Sequence, residues 1–502
     1  MKDAQKLTGR DPSIWLTLIS AAIYISLTFN RNVWMDEAFT ATLIRTDYAG
    51  VLERSMNDTL PPLYNLLLKL ATDIFGYHVP VMKLLSAFFL ILTIALGGSF
   101  VKKRFGMKAS AVFILALTLM PNMQFFGVEI RMYSLGFFFS TMSGLLAYDC
   151  ISRSDFKSFA LFSLTTALSG YSHHFALVTS GFVCLFMLIW FLAVFFMERK
   201  GEAAGHRAFS QDPGVCAREG LRRLFLCFLS ILVLYLPCFI VTLKQLKRVS
   251  GYFSMPEITP SVFVKYMRYP FTVGFTPLSL LLLFTAAALF LRLVYRLLST
   301  TRPAKEMEPP CDLLLNLYSL ACFMVYYGVL LFGTLISKIM TANIFVDRYL
   351  FFALGLLWLF FSIEASTLKK PLYVLIIILE LLVGVVTLGT AYRSEYAEGA
   401  DELIDWLNEN VSEGDLLYTL EDAEGLSLSL PFYDERLTNY EELSEIKAHT
   451  EGGGTMNIWC AILDGYEVKP QDTRGFELEP QGAFSFDRYK FTMYRMIPVD
   501  TD

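Results

Sequence analysis

The stretch PVMKLLSAFFLILTIALGGSFV, residues 80–101, carries one charged side chain in 22 residues. As a helix it would rise about 33 Å, roughly the depth of a bilayer's hydrocarbon core. Outward from it the same pattern recurs. Apolar runs of comparable character stand at 13–30, 109–126, 132–150, 157–172, 175–196, 224–243, 276–298, 313–335, 348–366 and 371–391, about eleven spans in all. With 55% hydrophobic residues, 44 Phe and only 18% charged residues in 502, the chain is too apolar for an ordinary soluble enzyme. The expected fold is mainly α, a polytopic transmembrane helical bundle.

The net charge of −5 decides little, because in such a chain the loops that hold Lys and Arg set orientation. If residues 1–12 lie inside, the inner loops hold Lys102, Lys103, Arg104 and Lys108, then Arg153 and Lys157, and a further basic group between Arg199 and Arg223. The short outer segments are poorer in basic residues. The N-terminus is therefore expected in the cytoplasm, and an odd number of spans would put the tail from about 392 outside. The run at 13–30 is long and followed by further spans, so it reads as a retained helix and not a cleaved signal. The eight Cys are scattered without paired spacing, which argues against a disulfide framework or a zinc site.

Polar groups collect on the outer face. The long segment 31–79 opens with NVWMDEAFT, which sets Asp36 beside Glu37. Residues 38–55 suit a helix lying on the membrane, with Leu43, Ile44, Val51 and Leu52 apolar. Pro61 and Pro62 end any helix there, and the apolar 63–75 run is too short to span and suits an interfacial or re-entrant helix. Further on, tight outer turns hold Glu129 and Arg131, His173 and His174, Lys338, and Asp347 with Arg348. Taken singly, Arg131, Lys338 and Arg348 fit interfacial snorkelling anchors. Acids, bases and histidines in successive outer turns are also what a bundle would use to build one pocket.

These residues carry a resemblance. W-x-DE-A, then D-x-x-PPLY-x-LLLKL, then E-x-RMYSL, YSHHFAL and DRYLFF resemble membrane glycosyltransferases of the GT-C superfamily. The nearest branch is that of bacterial relatives of protein O-mannosyltransferases and lipid A aminoarabinose transferases, glycosyltransferase family 39-like. The likeness covers residues 13 to about 200 and thins afterwards. It implies an inverting transferase that takes a sugar from a polyprenyl-phosphate donor and passes it to an extracytoplasmic protein, lipid or cell-envelope glycan. It also implies an acidic residue of the first outer loop at the reaction centre, which falls on Asp36, with Glu37 beside it.

Attack on an anomeric carbon needs a base for the acceptor hydroxyl, and a carboxylate in a partly desolvated loop suits that task. The leaving phosphate develops negative charge, for which Arg131 and Arg348 offer planar forks and Lys338 a third cation. Glu129 has three open roles: orienting Arg131, binding a sugar hydroxyl, or helping Asp36 hold a divalent cation such as Mg2+ or Mn2+. His173 and His174 suit donor phosphate, a metal, or simple satisfaction of helix ends. Asp58 is an acceptor-side candidate, and Tyr64 a substrate or metal candidate. Relatives often have His before the double proline. Here Leu60 stands there, which weakens a metal role.

From about Arg393 the composition turns soluble and acidic. ADELIDWLNENV reads as an amphipathic helix, and DLLYTL and NIWCAIL read as strands, with EGGG as punctuation. Two domains are expected: 1–391 in the membrane, carrying the site, and 392–502 as a small extracytoplasmic α/β domain. No nucleotide-binding glycine motif and no nucleic-acid partner are expected. The competing readings are a transporter or flippase of lipid-linked sugars, and a polysaccharide ligase or polymerase. A transporter would place its polar groups near the midplane in repeated halves, and neither feature is present.

Overall fold

A computed structural model of the chain describes residues 11–199, 217–252, 257–300, 311–340, 343–420, 424–440, 443, 445–446, 456–469, 472–473, 475–486 and 489–499. The polar connectors expected at 197–223 and 299–312 fall largely outside the described residues, as does the EGGG run.

The helices are α1 (Pro12–Ser26), α2 (Met35–Leu43), α3 (Tyr48–Asn57), α4 (Leu63–Phe75), α5 (Val79–Leu119), α6 (Met123–Val128), α7 (Tyr133–Ser152), α8 (Phe156–Ser172) and α9 (His174–Arg199). They continue with α10 (Ala217–Tyr252), α11 (Pro260–Arg268), α12 (Thr276–Thr300), α13 (Cys311–Ile339), α14 (Phe351–Ser366) and α15 (Lys370–Glu395). Eight helices among the described residues are long and apolar enough to cross a membrane. The expected eleven is not reached by this measure, for two physical reasons. First, α1 and α8 have 15 and 17 residues, short of a full crossing. Second, the runs at 80–101 and 109–126 are two helices that meet at Gly106, whose φ of +88° is a left-handed conformation suited to glycine, and they count here as the one element α5.

The single surface helix expected over 38–55 is two helices, α2 and α3, interrupted after Leu43. The double proline separates α3 from α4 as its fixed φ requires.

The chain forms two compact units. The first comprises Met1–Ser26, Tyr48–Leu68 and Leu84–Ala391. Its central element is α14, buried from Phe351 to Ala365 because neighbours cover every face of an apolar sequence. Small residues let α7 approach it closely. A Cβ on Gly355 would meet Thr141 Oγ1 at 2.0 Å, and one on Gly144 would meet Leu356 at 2.1 Å. This packing brings Tyr133 at the start of α7 next to Phe351 and Phe352 at the start of α14.

The second unit comprises Leu27–Asp47, Lys69–Lys83 and Tyr392–Asp502. Two segments from the first 83 residues are thus folded in with the tail. After α16 (Gly399–Asn410) the tail holds β1 (Leu416–Thr419), α17 (Glu424–Tyr433), β2 (Thr438–Tyr440), β3 (Ile458–Leu463), β4 (Phe476–Phe486) and β5 (Tyr489–Pro498). The sheet order is β2-β1-β3-β5-β4, with β1 parallel to both its neighbours and β5 antiparallel to β3 and β4. Every residue of β1 is buried, as expected of a parallel strand covered on both faces. Leu417, Trp459 and Met493 pack with Leu403, Leu407 and Leu430 on one face, and Leu416, Cys460 and Met496 with Ile446 on the other.

Candidate active site

In the first unit the turns flagged by sequence come together. The chain reverses tightly after α6, with the Arg131 N–H donating to the Glu129 carbonyl at 2.6 Å. Both side chains are buried, at 3% and 9% exposure. Ser86 Oγ donates to the same Glu129 carbonyl at 2.6 Å, and Tyr64 OH lies 2.8 Å from Ser86 Oγ. Tyr64 is fully buried and braces this turn through Ser86.

His173 links α8 to α9. Its ring lies 4.5 Å from the Phe352 ring and 4.8 Å from the Tyr349 ring, centroid to centroid. The Phe175 N–H donates to Nδ1 at 3.0 Å, which leaves the ring proton of the neutral imidazole on Nε2. Burial, aided by the charges of His174, Arg131 and Arg348, holds His173 well below the usual histidine range. The imidazole is therefore neutral. Its Nε2–H is buried and has no hydrogen-bond partner among the described residues.

Arg348 lies in a 3-10 turn, Asp347–Leu350, that leads into α14. Its backbone N–H donates to Asp347 Oδ1 at 3.0 Å, and Asp347 pairs with Lys265 at 3.3 Å. Tyr269 joins the group from the turn after α11. Burial pushes its hydroxyl well up, reinforced by Asp347, Tyr133 and Glu129 and opposed by Arg348. Its OH has no partner among the described residues. Glu129, Arg131, His173, His174 and Arg348 are thus gathered, together with Tyr133, Tyr269 and Tyr349. Lys338 stands exposed in the last turn of α13 and is not among the charges that act on His173 or Tyr269. Asp58 is half-buried, within reach of Thr59 Oγ1 at 3.4 Å.

Beside this group lies a cavity of about 510 Å³. Leu177, Val178, Leu232, Phe239, Phe332 and Ile336 give it an apolar wall, while His173, His174, Gln245 and Tyr349 stand at its polar margin. Gln245, in the C-terminal part of α10, is buried at 2% exposure. Its Nε2 donates to the carbonyls of Ser55 and Leu60 at 3.0 and 2.9 Å, so its Oε1 faces His174 Nε2 at 3.1 Å as the acceptor. One side chain thereby ties α3, the approach to the double proline and the histidine pair together. Sequence reasoning missed Gln245, Ser86, Tyr133 and Tyr269. The position of Tyr269, between Arg268 and Pro270 in an outer segment already rich in polar groups, was the available signal.

Asp36 and Glu37 belong to the second unit, in the first turn of α2. Glu37 is buried at 4% exposure, and its Oε2 accepts the Trp34 N–H at 3.1 Å, which caps the helix. Asp36 is half-buried. The tail grips this segment closely: Tyr433 OH accepts the Val33 N–H at 2.9 Å, and Tyr489 OH lies 3.8 Å from Met35 Sδ. At its far end Arg45 pairs with Glu435 at 2.9 Å, while Tyr77 OH donates to the Ala41 carbonyl at 2.9 Å. Among the described residues no three His, Cys, Asp or Glu side chains cluster closely enough to hold a metal ion.

The fold, a helical bundle with eight candidate membrane spans among the described residues and a small mixed-sheet domain, is one already seen in solved structures. In particular, it is similar to ArnT from Cupriavidus metallidurans in the apo state, with TM-score 0.60, 13% identity, and coverage of 96% of this chain and 97% of that one. The same protein bound to undecaprenyl phosphate gives TM-score 0.59 and 13% identity over 97% and 98% of the two chains. At this identity the likeness is one of fold. No family model and no curated protein matches the sequence.

Proposed function

We propose that the protein is an inverting glycosyltransferase that moves a sugar from a polyprenyl-phosphate donor to an extracytoplasmic acceptor, a protein, a lipid or a cell-envelope glycan. The observation that carries this reading is the apolar cavity whose polar margin holds a tautomer-fixed His173 beside Arg131 and Arg348. A long apolar chain with a phosphate head has complementary chemistry. The full-length fold likeness to a protein solved with undecaprenyl phosphate supports it.

In the proposed reaction Asp36 takes the acceptor hydroxyl proton as that oxygen attacks the anomeric carbon. The bond from that carbon to the donor phosphate oxygen breaks, and polyprenyl phosphate leaves with the electron pair. Arg131 and Arg348 meet the charge that develops on its oxygens. The His173 Nε2–H donates to a phosphate or sugar oxygen as a neutral group, adding no charge of its own. Glu129 orients Arg131. Chemistry of this kind puts the site and the tail domain on the extracytoplasmic side of the cell membrane, with the N-terminus in the cytoplasm.

The test is transfer from a radiolabelled polyprenyl-phosphate hexose to membrane acceptors by purified protein. Parent protein is expected to transfer label, and Asp36→Ala and Arg348→Ala each to lose about 100-fold or more. Equal rates in the parent and both variants would refute the proposal.

A further inference from the structure

A second polar cavity, of about 710 Å³, lies in the first unit at the opposite ends of α7 and α8 from the His173 group. The 20 residues of α7 put about 30 Å of helix between the two. Three helix ends form it: Phe100–Arg104 of α5 just before the Gly106 break, the last turns of α7, and the first turn of α8. Lys103, Arg104, Arg153 and Lys157 line it, with Asp149 and Asp155 as the only acids on its wall.

Each carboxylate has a partner, though the buried Asp149 Oδ1 accepts no hydrogen bond among the described residues. Asp155 caps α8, accepting the Ser158 N–H and hydroxyl, each at 2.9 Å. Asp149 takes Arg104 at 2.6 Å and has Arg153 at 3.9 Å. The Arg104 guanidinium also lies over the Phe100 ring at 5.6 Å, which fixes its direction, and its buried Nε has no hydrogen-bond partner among the described residues. The rim is exposed at Lys103, Arg153 and Lys157, and also at Leu161, which is apolar. Phe156, next to the rim, is 82% exposed. Cations and bare apolar side chains on one rim match a molecule that has both an anionic head and an acyl tail.

We propose that this cavity binds the phosphate head of an anionic phospholipid at the end of the bundle remote from the transfer site. Phosphate oxygens would take the charge-assisted N–H donors of Arg104 and Arg153, with Lys103 and Lys157 adding field, while the acyl chains lie along Leu161 and Phe156. The inference does not depend on the glycosyltransferase reading.

The test uses the full-length protein purified in detergent and passed through vesicles of phosphatidylcholine doped with phosphatidylglycerol or cardiolipin. Retained lipid is counted by native mass spectrometry. Parent protein is expected to keep one anionic lipid and to lose it in high salt. In K103Q/R153Q/K157Q the affinity should fall about five-fold per cation removed, on the order of 100-fold together. All three side chains are exposed and their loss should leave the melting temperature in lipid-free detergent unchanged. Equal retention by parent and triple variant overturns the proposal. So does displacement of the lipid by millimolar inorganic phosphate, which would make the site one for a soluble anion.

Discussion

The acid pair Asp36–Glu37 and the histidine pair His173–His174 are both adjacent residues at the start of a helix, and the fold treats both pairs alike. Neighbours on a helix point about 100° apart, so only one member can face a given direction. Glu37 turns back to cap α2 and Asp36 is left half-buried, whereas His174 is clasped by Gln245 and His173 stands at the cavity margin with a fixed tautomer. In each pair one residue holds the backbone that presents the other. The pairs differ in the surroundings of the second member, since burial keeps His173 neutral by excluding water while Asp36 retains partial solvent contact.

The largest effect that tests this division is on the acid pair. Asp36→Asn should lower the transfer rate by about 10²- to 10⁴-fold with a stable fold. Glu37→Ala should cost about 1 kcal/mol of stability and leave the rate within a few-fold. Thermal melts and initial rates read both, and a dead Glu37→Ala beside an active Asp36→Asn would reverse the assignment.

For the histidines, His173→Phe keeps a ring against Phe352 and Tyr349 but removes the donor, and should cost about 100-fold in kcat. His174→Phe, by contrast, should act on stability. Gln245→Leu should be milder in rate and clearer in folding. It removes one hydrogen bond each from the Ser55 carbonyl, the Leu60 carbonyl and His174, at about 2 kcal/mol, read as a lower melting temperature. A melting temperature equal to the parent's would contradict the clasp.

The smallest effect concerns pH. His173 resists protonation in the folded state, so below the unfolded value of about 6.5 the unfolded chain binds the extra proton. Stability is therefore present above that pH and lost as pH falls through it. His173→Phe should flatten this dependence, and an unchanged slope would place the titrating group elsewhere.

Much of this was legible in the sequence. Apolar runs gave helices, the double proline separated α3 from α4, and β1 and β3 stand where DLLYTL and NIWCAIL predict. The polar turns at Glu129, Arg131, His173 and Arg348 gather because their helices pack along one another, which run lengths suggest. What local pattern could not carry is pairing across long stretches of chain. Gln245 sits among Lys244 and Lys247 and reads as part of a basic surface, yet its amide bonds lie with Ser55, Leu60 and His174. Nor does an amphipathic period reveal that Leu27–Asp47 folds with the tail, since that depends on Tyr433 and Tyr489 meeting Val33 and Met35. The break at Gly106 falls between the apolar runs 80–101 and 109–126, where the charged stretch Lys102–Lys108 already separates them in the sequence.

The central claim is that the cavity beside His173 holds the lipid of the donor. Its most direct test is the affinity of undecaprenyl phosphate for Val178→Trp, which fills the apolar wall without touching a polar group. The account predicts binding weakened by about ten-fold or more at an unchanged melting temperature. Parent-like affinity in a folded Val178→Trp protein would contradict it.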